Sequence, residues 1–132
     1  MYVGIDIIEI KRIEKLFSAN EDFLRRVYTE KEVEYCKQKK NKYQHFAARF
    51  ASKEAMFKAL GTGWVGNMKW TDNELLNDEM GRPYLNLYGR VKEMAEKKRI
   101  NNISVSLSHC RDYAIAQVLL VPKTMPEDLS GC

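Results

Sequence analysis

The stretch from Arg49 to Gly63, Arg-Phe-Ala-Ser-Lys-Glu-Ala-Met-Phe-Lys-Ala-Leu-Gly-Thr-Gly, constrains this chain more than any other. Ala, Met, Leu and Lys favour helix, and the run predicts the second half of a helix from about Tyr43 to Leu60. Gly61 falls where a left-handed C-terminal cap belongs. At about 100° per residue, Phe46, Phe50, Phe57 and Leu60 share one stripe. Ala47, Ala51 and Ala55 form a second, small enough for another backbone to come close. Glu54 and Lys58 lie between the stripes, at the i,i+4 spacing that makes them neighbours.

On a solvated face such a pair is an ordinary ion pair, worth roughly a few tenths of a kcal/mol. Here it is flanked by apolar stripes and runs into Gly-Thr-Gly, whose backbone can approach a phosphate closely. Arg49, Lys53 and Lys58 crowd the same two turns. A carboxylate among so many cations suits a divalent metal that in turn holds a phosphate.

The 132 residues make one domain. Lys plus Arg number 22 against 18 Asp plus Glu, a net charge of +4. That excess suits a phosphorylated small molecule or an acidic protein, whereas nucleic acid demands a denser basic patch. Cys36, Cys110 and Cys132 lack the spacing of a metal or redox motif and read as free thiols of a reducing compartment. The N-terminus has an acid in its apolar run and no basic leader, and no run approaches about 20 apolar residues. The expected setting is the cytoplasm, with no membrane association.

Tyr2 to Ile8 reads as a strand with Val3, Ile5 and Ile7 on one face and Asp6 on the other, between Gly4 and Ile8. Asp6 could cap the helix that follows. Glu9 is nearer that helix start, however, and an acid inside a strand wants a cation, so Asp6 is a metal-ligand candidate. The next helix, about Glu9 to Phe17, buries Ile10, Ile13 and Phe17 and shows Lys11, Arg12 and Lys15 outward. Phe23 to Val27 reads as a short apolar turn carrying Arg25 and Arg26, and Thr29 to Glu32 has the form of a capping box opening a helix through about Tyr35. Beyond the long helix, a strand from about Met68 to Leu76 turns through Asn77 to Pro83 into Tyr84 to Tyr88. A helix from Gly89 to Lys98 places Val91, Met94 and Ala95 inward. Ile103 to His109 alternates apolar residues with serines, and Tyr113 to Val121 is an apolar strand. His109 is either a surface hydrogen-bonding residue or, given the serine face leading to it, a phosphate contact. Residues 1–121 thus predict an α+β domain with an antiparallel sheet, followed by a flexible tail over 122–132.

Two motifs stand out: Gly4-Ile5-Asp6-Ile7-Ile8-Glu9-Ile10 with Arg12-Ile13, and Arg49-Phe50-Ala51-Ser52-Lys53-Glu54-Ala55 with Lys58-Ala59-Leu60-Gly61-Thr62-Gly63. With Gly81-Arg82-Pro83 and Ser106-Leu107-Ser108-His109, the chain from Val3 to Val121 resembles the holo-(acyl-carrier-protein) synthases, small bacterial 4′-phosphopantetheinyl transferases. The resemblance implies the 4′-phosphopantetheinyl transferase fold, an antiparallel sheet packed with a long central helix. It implies that a serine of apo acyl carrier protein attacks coenzyme A in the presence of Mg²⁺, taking the phosphopantetheine arm and releasing adenosine 3′,5′-bisphosphate. In that scheme Asp6 and Glu54 hold the metal and, with Lys58, form the catalytic set. Arg49, Lys58, Gly61, Thr62, Gly63 and His109 bind coenzyme A, and Arg12, Lys15 and Arg26 dock the acidic carrier protein. Glu21 and Asp22 interrupt the basic docking run. A metal-bound water or Glu32 would take the serine proton. The family's trimers, with sites between subunits, would use the Ala stripe and the apolar last strand as contacts.

Two other readings compete. A Mg²⁺-dependent nucleotide pyrophosphate hydrolase would use water as acceptor and a denser cluster of acids. A non-catalytic basic module for an acidic protein or RNA leaves Asp6 and Glu54 without a task, and RNA would want interleaved aromatics.

Overall fold

The structure, a computed structural model, describes residues 1–61 and 66–124. The expectations for Thr62, Gly63 and the tail from residue 125 lie outside the described residues. In chain order the elements are β1 (Tyr2–Glu9), α1 (Ile10–Ala19), α2 (Phe23–Val27), α3 (Glu30–Lys37), α4 (Lys42–Leu60), β2 (Asn73–Asn77), β3 (Pro83–Leu87), α5 (Gly89–Lys97), β4 (Ile100–His109) and β5 (Tyr113–Pro122). The strands pair antiparallel throughout, as a sheet ordered β1-β5-β4 and a separate β2-β3 hairpin.

Most of these elements form where local chemistry demands them. The Thr29 hydroxyl accepts from the Glu32 N–H and the Glu32 carboxylate accepts from the Thr29 N–H, completing the capping box of α3. Gly61 closes α4 in the left-handed conformation at φ 71°. Two expectations are corrected. Residues 23–27 form a short helix rather than a turn. The strand expected from Met68 starts only at Asn73, because Trp70–Asp72 form a 3₁₀ turn. There the Asp72 carboxylate accepts from the Lys69 N–H at 3.1 Å, a local bond that competes with extended pairing.

Helix α4 is wrapped rather than amphipathic: every residue from Phe46 to Lys53 is buried. One side lies on β1 at Gly4, where an added Cβ would stand 1.9 Å from the Ala55 carbonyl oxygen and 2.7 Å from the Ala59 nitrogen. The Ala stripe therefore meets the chain's own sheet, with Ala47, Ala51 and Ala55 fully covered. That corrects its assignment to subunit contacts. On another side Phe46 meets the rings of Phe17 at 4.8 Å and Tyr28 at 4.9 Å, seating α1 and the segment after α2.

A third side carries a buried ion pair. Lys53 Nζ donates to Glu32 Oε1 at 2.8 Å, both side chains being fully enclosed. It also donates to the Trp70 carbonyl at 3.3 Å and to the Asn73 carbonyl, while Glu32 Oε2 accepts from the Leu75 N–H at 3.2 Å. Burial pulls the Lys53 pKa down against the opposing pull of Glu32. So Lys53 does not join the cations of a site, and Glu32 is no base open to a substrate; together they bolt α3, α4 and β2.

The sheet has two unlike faces. Gly4 and Ile8 of β1 and Ala114, Ala116, Val118 and Leu120 of β5 are buried beneath α4. Val3, Ile5 and Ile7 are each more than half exposed, and they sit opposite Leu119, Gln117 and Ile115 on the outer face. On β4, period-two alternation puts His109 on the face of Ile103, Val105 and Leu107. The serines alternate to the other face, although Ser106 and His109 still border one concave space.

The Gly4 contact makes a definite prediction. Alanine is the better strand residue by roughly 0.5–1 kcal/mol, yet Gly4→Ala should destabilise by at least about 2 kcal/mol, because backbone rather than a side-chain tip must move. Urea unfolding measures it, and an unchanged midpoint would show that the helix does not sit this close.

Candidate active site

Asp6 projects from the inner side of β1, two residues beyond Gly4. On α4, Glu54 and Lys58 stand immediately before the contact residues Ala55 and Ala59. The approach that Gly4 permits therefore brings all three together. Lys58 Nζ donates to Asp6 Oδ1 at 3.0 Å and to the Ile5 carbonyl at 3.1 Å. The Asp6 side chain is 17% exposed and that of Lys58 55%, so one end of the pair is enclosed and the other faces solvent. The ion pair thus runs across to the strand; the expected partner along the helix, Glu54, feels Lys58 only through its charge.

Burial raises the Glu54 pKa and the Asp6 charge raises it further, against Lys58 and Arg12, which lower it. Two carboxylates that repel each other on a partly open surface are a natural seat for a hard cation. Among the described residues no group of three or more His, Cys, Asp or Glu converges. The donor set is thus one or two carboxylates, which fits Mg²⁺ shared with a phosphorylated ligand.

Arg12, exposed on α1, acts on Glu54 and so reaches the edge of this cluster. Lys15 borders a shallow depression of about 590 Å³ with Lys11 and Glu14, and Arg26 is exposed in the last turn of α2. The Gly61 N–H goes back to the carbonyls of Phe57 and Lys58. Within the chain it serves the helix end.

Arg49 and His109 belong to a second cluster. A cavity of about 440 Å³ is lined by both, with Tyr35, His45, Asn77 and Arg82. Arg49 is only 2% exposed, donates through Nη2 to Asn77 Oδ1 at 2.8 Å, and stacks 4.2 Å over the Tyr35 ring. Its Nε has no hydrogen-bond partner among the described residues. Arg49 and Lys58 are nine residues apart, so they project from nearly opposite sides of α4, about 180° apart. The crowd of cations expected on one patch is in fact divided among three surroundings. Sequence reasoning passed over His45, although it lies one turn before Arg49 on the same helix face.

The chain belongs to the 4′-phosphopantetheinyl transferase superfamily, whose family model matches residues 2–118. Its relatives include the holo-(acyl-carrier-protein) synthase of a Thermoanaerobacter species, 43% identical over 92% of this chain and 87% of that protein. That of Ruminiclostridium cellulolyticum is 45% identical over 91% of each. Among solved structures, the Helicobacter pylori synthase in complex with coenzyme A superposes with a TM-score of 0.78 at 33% identity, covering 90% of this chain and 99% of that one. The Neisseria meningitidis synthase gives 0.82 at 30% identity, over 91% and 97%.

The electrostatics of the first cluster can be tested without any assay of activity. In Lys58→Met the Glu54 carboxyl should titrate at higher pH than in the parent chain, because a cation that holds its pKa down is gone. Carbon-13 NMR of the side-chain carboxyls reads this directly, and an unmoved Glu54 would contradict the arrangement.

Proposed function

We infer that the chain transfers the 4′-phosphopantetheine arm of coenzyme A to a serine hydroxyl of an apo acyl carrier protein, releasing adenosine 3′,5′-bisphosphate. We propose further that it does so with Mg²⁺ held by Asp6 and Glu54. The observation that carries this reading is the Asp6–Lys58–Glu54 cluster, assembled from the two motifs that carry the family resemblance. When bound, Mg²⁺ would neutralise phosphate oxygens as negative charge shifts during transfer.

The chain's own groups have distinct tasks. Asp6 and Glu54 offer hard oxygens, and a cation beside Glu54 favours its ionised form over the proton that burial encourages. Lys58 spends two of the three N–H groups of an ammonium on Asp6 and the Ile5 carbonyl. The third, on an exposed side chain, can meet an oxygen of the departing phosphate. Arg49 and His109 would receive the 3′-phosphate and adenosine end in the second cavity, which both residues line with Arg82. Glu32, fully buried and bonded through both oxygens, has no part in removing the serine proton.

Because the two clusters lie on opposite sides of α4, we propose that one coenzyme A is held between two copies of the chain in a homotrimer. The exposed Val3, Ile5 and Ile7, with Ile115 and Leu119 beside them, supply an apolar face for that contact. The acidic carrier protein would dock on Arg12, Lys15 and Arg26. Among the described residues no helix is long and apolar enough to cross a membrane. The free thiols of Cys36 and Cys110 suit the cytoplasm as the compartment.

Incubation with coenzyme A, Mg²⁺ and apo acyl carrier protein should give the phosphopantetheine adduct by mass spectrometry, and chelator should stop it. Asp6→Ala and Glu54→Gln should each cut the rate by at least about a hundredfold in a folded chain, a loss of the size that removing one transition-state contact causes. Full activity of either variant in saturating Mg²⁺ would remove the two-carboxylate site. In the same assay Arg12→Glu should raise KM for the carrier protein several-fold and leave KM for coenzyme A nearly unchanged; a change confined to Arg26→Glu would move the docking face to α2.

A further inference from the structure

His45 has no task in the scheme above, yet it stands inside the Arg49 cavity. Its ring centre lies 5.9 Å from that of His109 and 5.9 Å from that of Tyr35. The charged side chains placed around it are cationic: Arg49 comes from its own helix, Arg82 from the β2–β3 turn, and Lys39, after α3, lies 4.6 Å over the Tyr35 ring. The His109 imidazole enters from the end of β4. Among the described residues that line the cavity none is acidic. The concave space thus gathers fixed cations and two imidazoles with no protein anion to balance them.

Within the chain's own surroundings a proton on His45 is disfavoured: burial lowers its pKa first, and Arg49, His109 and Lys39 lower it further. A dianion entering the same space inverts that balance. It supplies the missing counter-charge and accepts from N–H groups on separate sides.

We propose that His45 is a further ligand for the terminal phosphate monoester of coenzyme A, and that the His45–His109 pair takes up a proton when this dianion binds. The proposal rests on the reading that the 3′-phosphate end occupies this cavity. A phosphate monoester carries a charge of about −1.5 to −2 with three acceptor oxygens, and the cavity offers the matching set. Arg49 and Arg82 line it together, and the His45 and His109 rings stand edge to face beside them at 5.9 Å. The sign follows from linkage: a site that gains a proton on binding binds more tightly as pH falls. Discrimination between coenzyme A and its 3′-dephospho form should therefore grow on acidification, down to the pH at which the phosphate itself protonates, near 6.

Isothermal titration of the full chain with coenzyme A and with 3′-dephospho-coenzyme A, at pH 6.5 to 8.5 and in buffers of different ionisation enthalpy, tests this. The parent chain should prefer coenzyme A by a ratio that grows about tenfold across that range, the equivalent of one pKa unit, with net proton uptake near pH 7. His45→Phe keeps a ring of similar size. It should retain a preference at pH 8.5 but lose most of the growth and most of the proton uptake. His45→Gln keeps an N–H donor that cannot titrate. It should bind coenzyme A better than the Phe variant at pH 8.5 and show the same flat profile. Unchanged affinity for the dephospho form certifies that each variant is folded. If both variants keep the parent's slope and proton uptake, His45 is not a ligand, although the cavity still is. If the parent chain does not distinguish the two compounds at any pH, the assignment of the cavity itself falls.

Discussion

One close contact sets the geometry on which the rest depends: the backbone of β1 at Gly4 against α4 at Ala55 and Ala59. No side chain on the strand fits between them, because the atoms it would meet are the helix backbone itself. With that spacing fixed, period two along the strand turns Asp6 to the same side as Gly4. The residues preceding the two contact alanines, Glu54 and Lys58, come up beside it. The contact that closes the core therefore also assembles the acidic site. An active-site group carried on a packed strand and helix is held more firmly than one on a loop.

The three basic residues of α4 show how burial divides similar side chains among different tasks. Lys53 is sealed in with Glu32 and backbone carbonyls, and its charge holds three elements together. Lys58 lies at the surface with its head on Asp6. Arg49 is buried yet lines a cavity, with its guanidinium held by Asn77 and stacked on Tyr35. Since Arg49 and Lys58 point in nearly opposite directions, we propose that a second copy of the chain completes the coenzyme A site. The exposed isoleucines and valine of β1 then have a reason to be apolar.

Local signals were legible in the sequence. The capping box of α3, the Gly61 cap, the β2–β3 hairpin and the inward Val91, Met94 and Ala95 of α5 all formed as their residues require. Asp6, Glu54 and Lys58 could be nominated because acids and cations in apolar surroundings need an explanation. What was not legible depends on contacts between distant segments. Lys58 chose Asp6 over its helical neighbour only because α4 lies on β1. The Glu32–Lys53 pair is invisible until α3 and α4 are packed together. His45 gains its meaning from His109, which arrives on a later strand. The 3₁₀ turn before β2 was a local device, the Asp72 bond to Lys69, hidden in a run that otherwise alternated well enough.

The central claim is that β1 and α4 together hold one metal ion through Asp6 and Glu54. Titration of Mg²⁺ into the coenzyme A-saturated chain, repeated on Asp6→Asn, Glu54→Gln and the double variant, tests it most directly. Each single variant should weaken Mg²⁺ binding by more than about tenfold. The double variant should be little worse than the weaker single one, because side chains that share a partner do not contribute additively. Mg²⁺ affinity unchanged by either single substitution would contradict the claim.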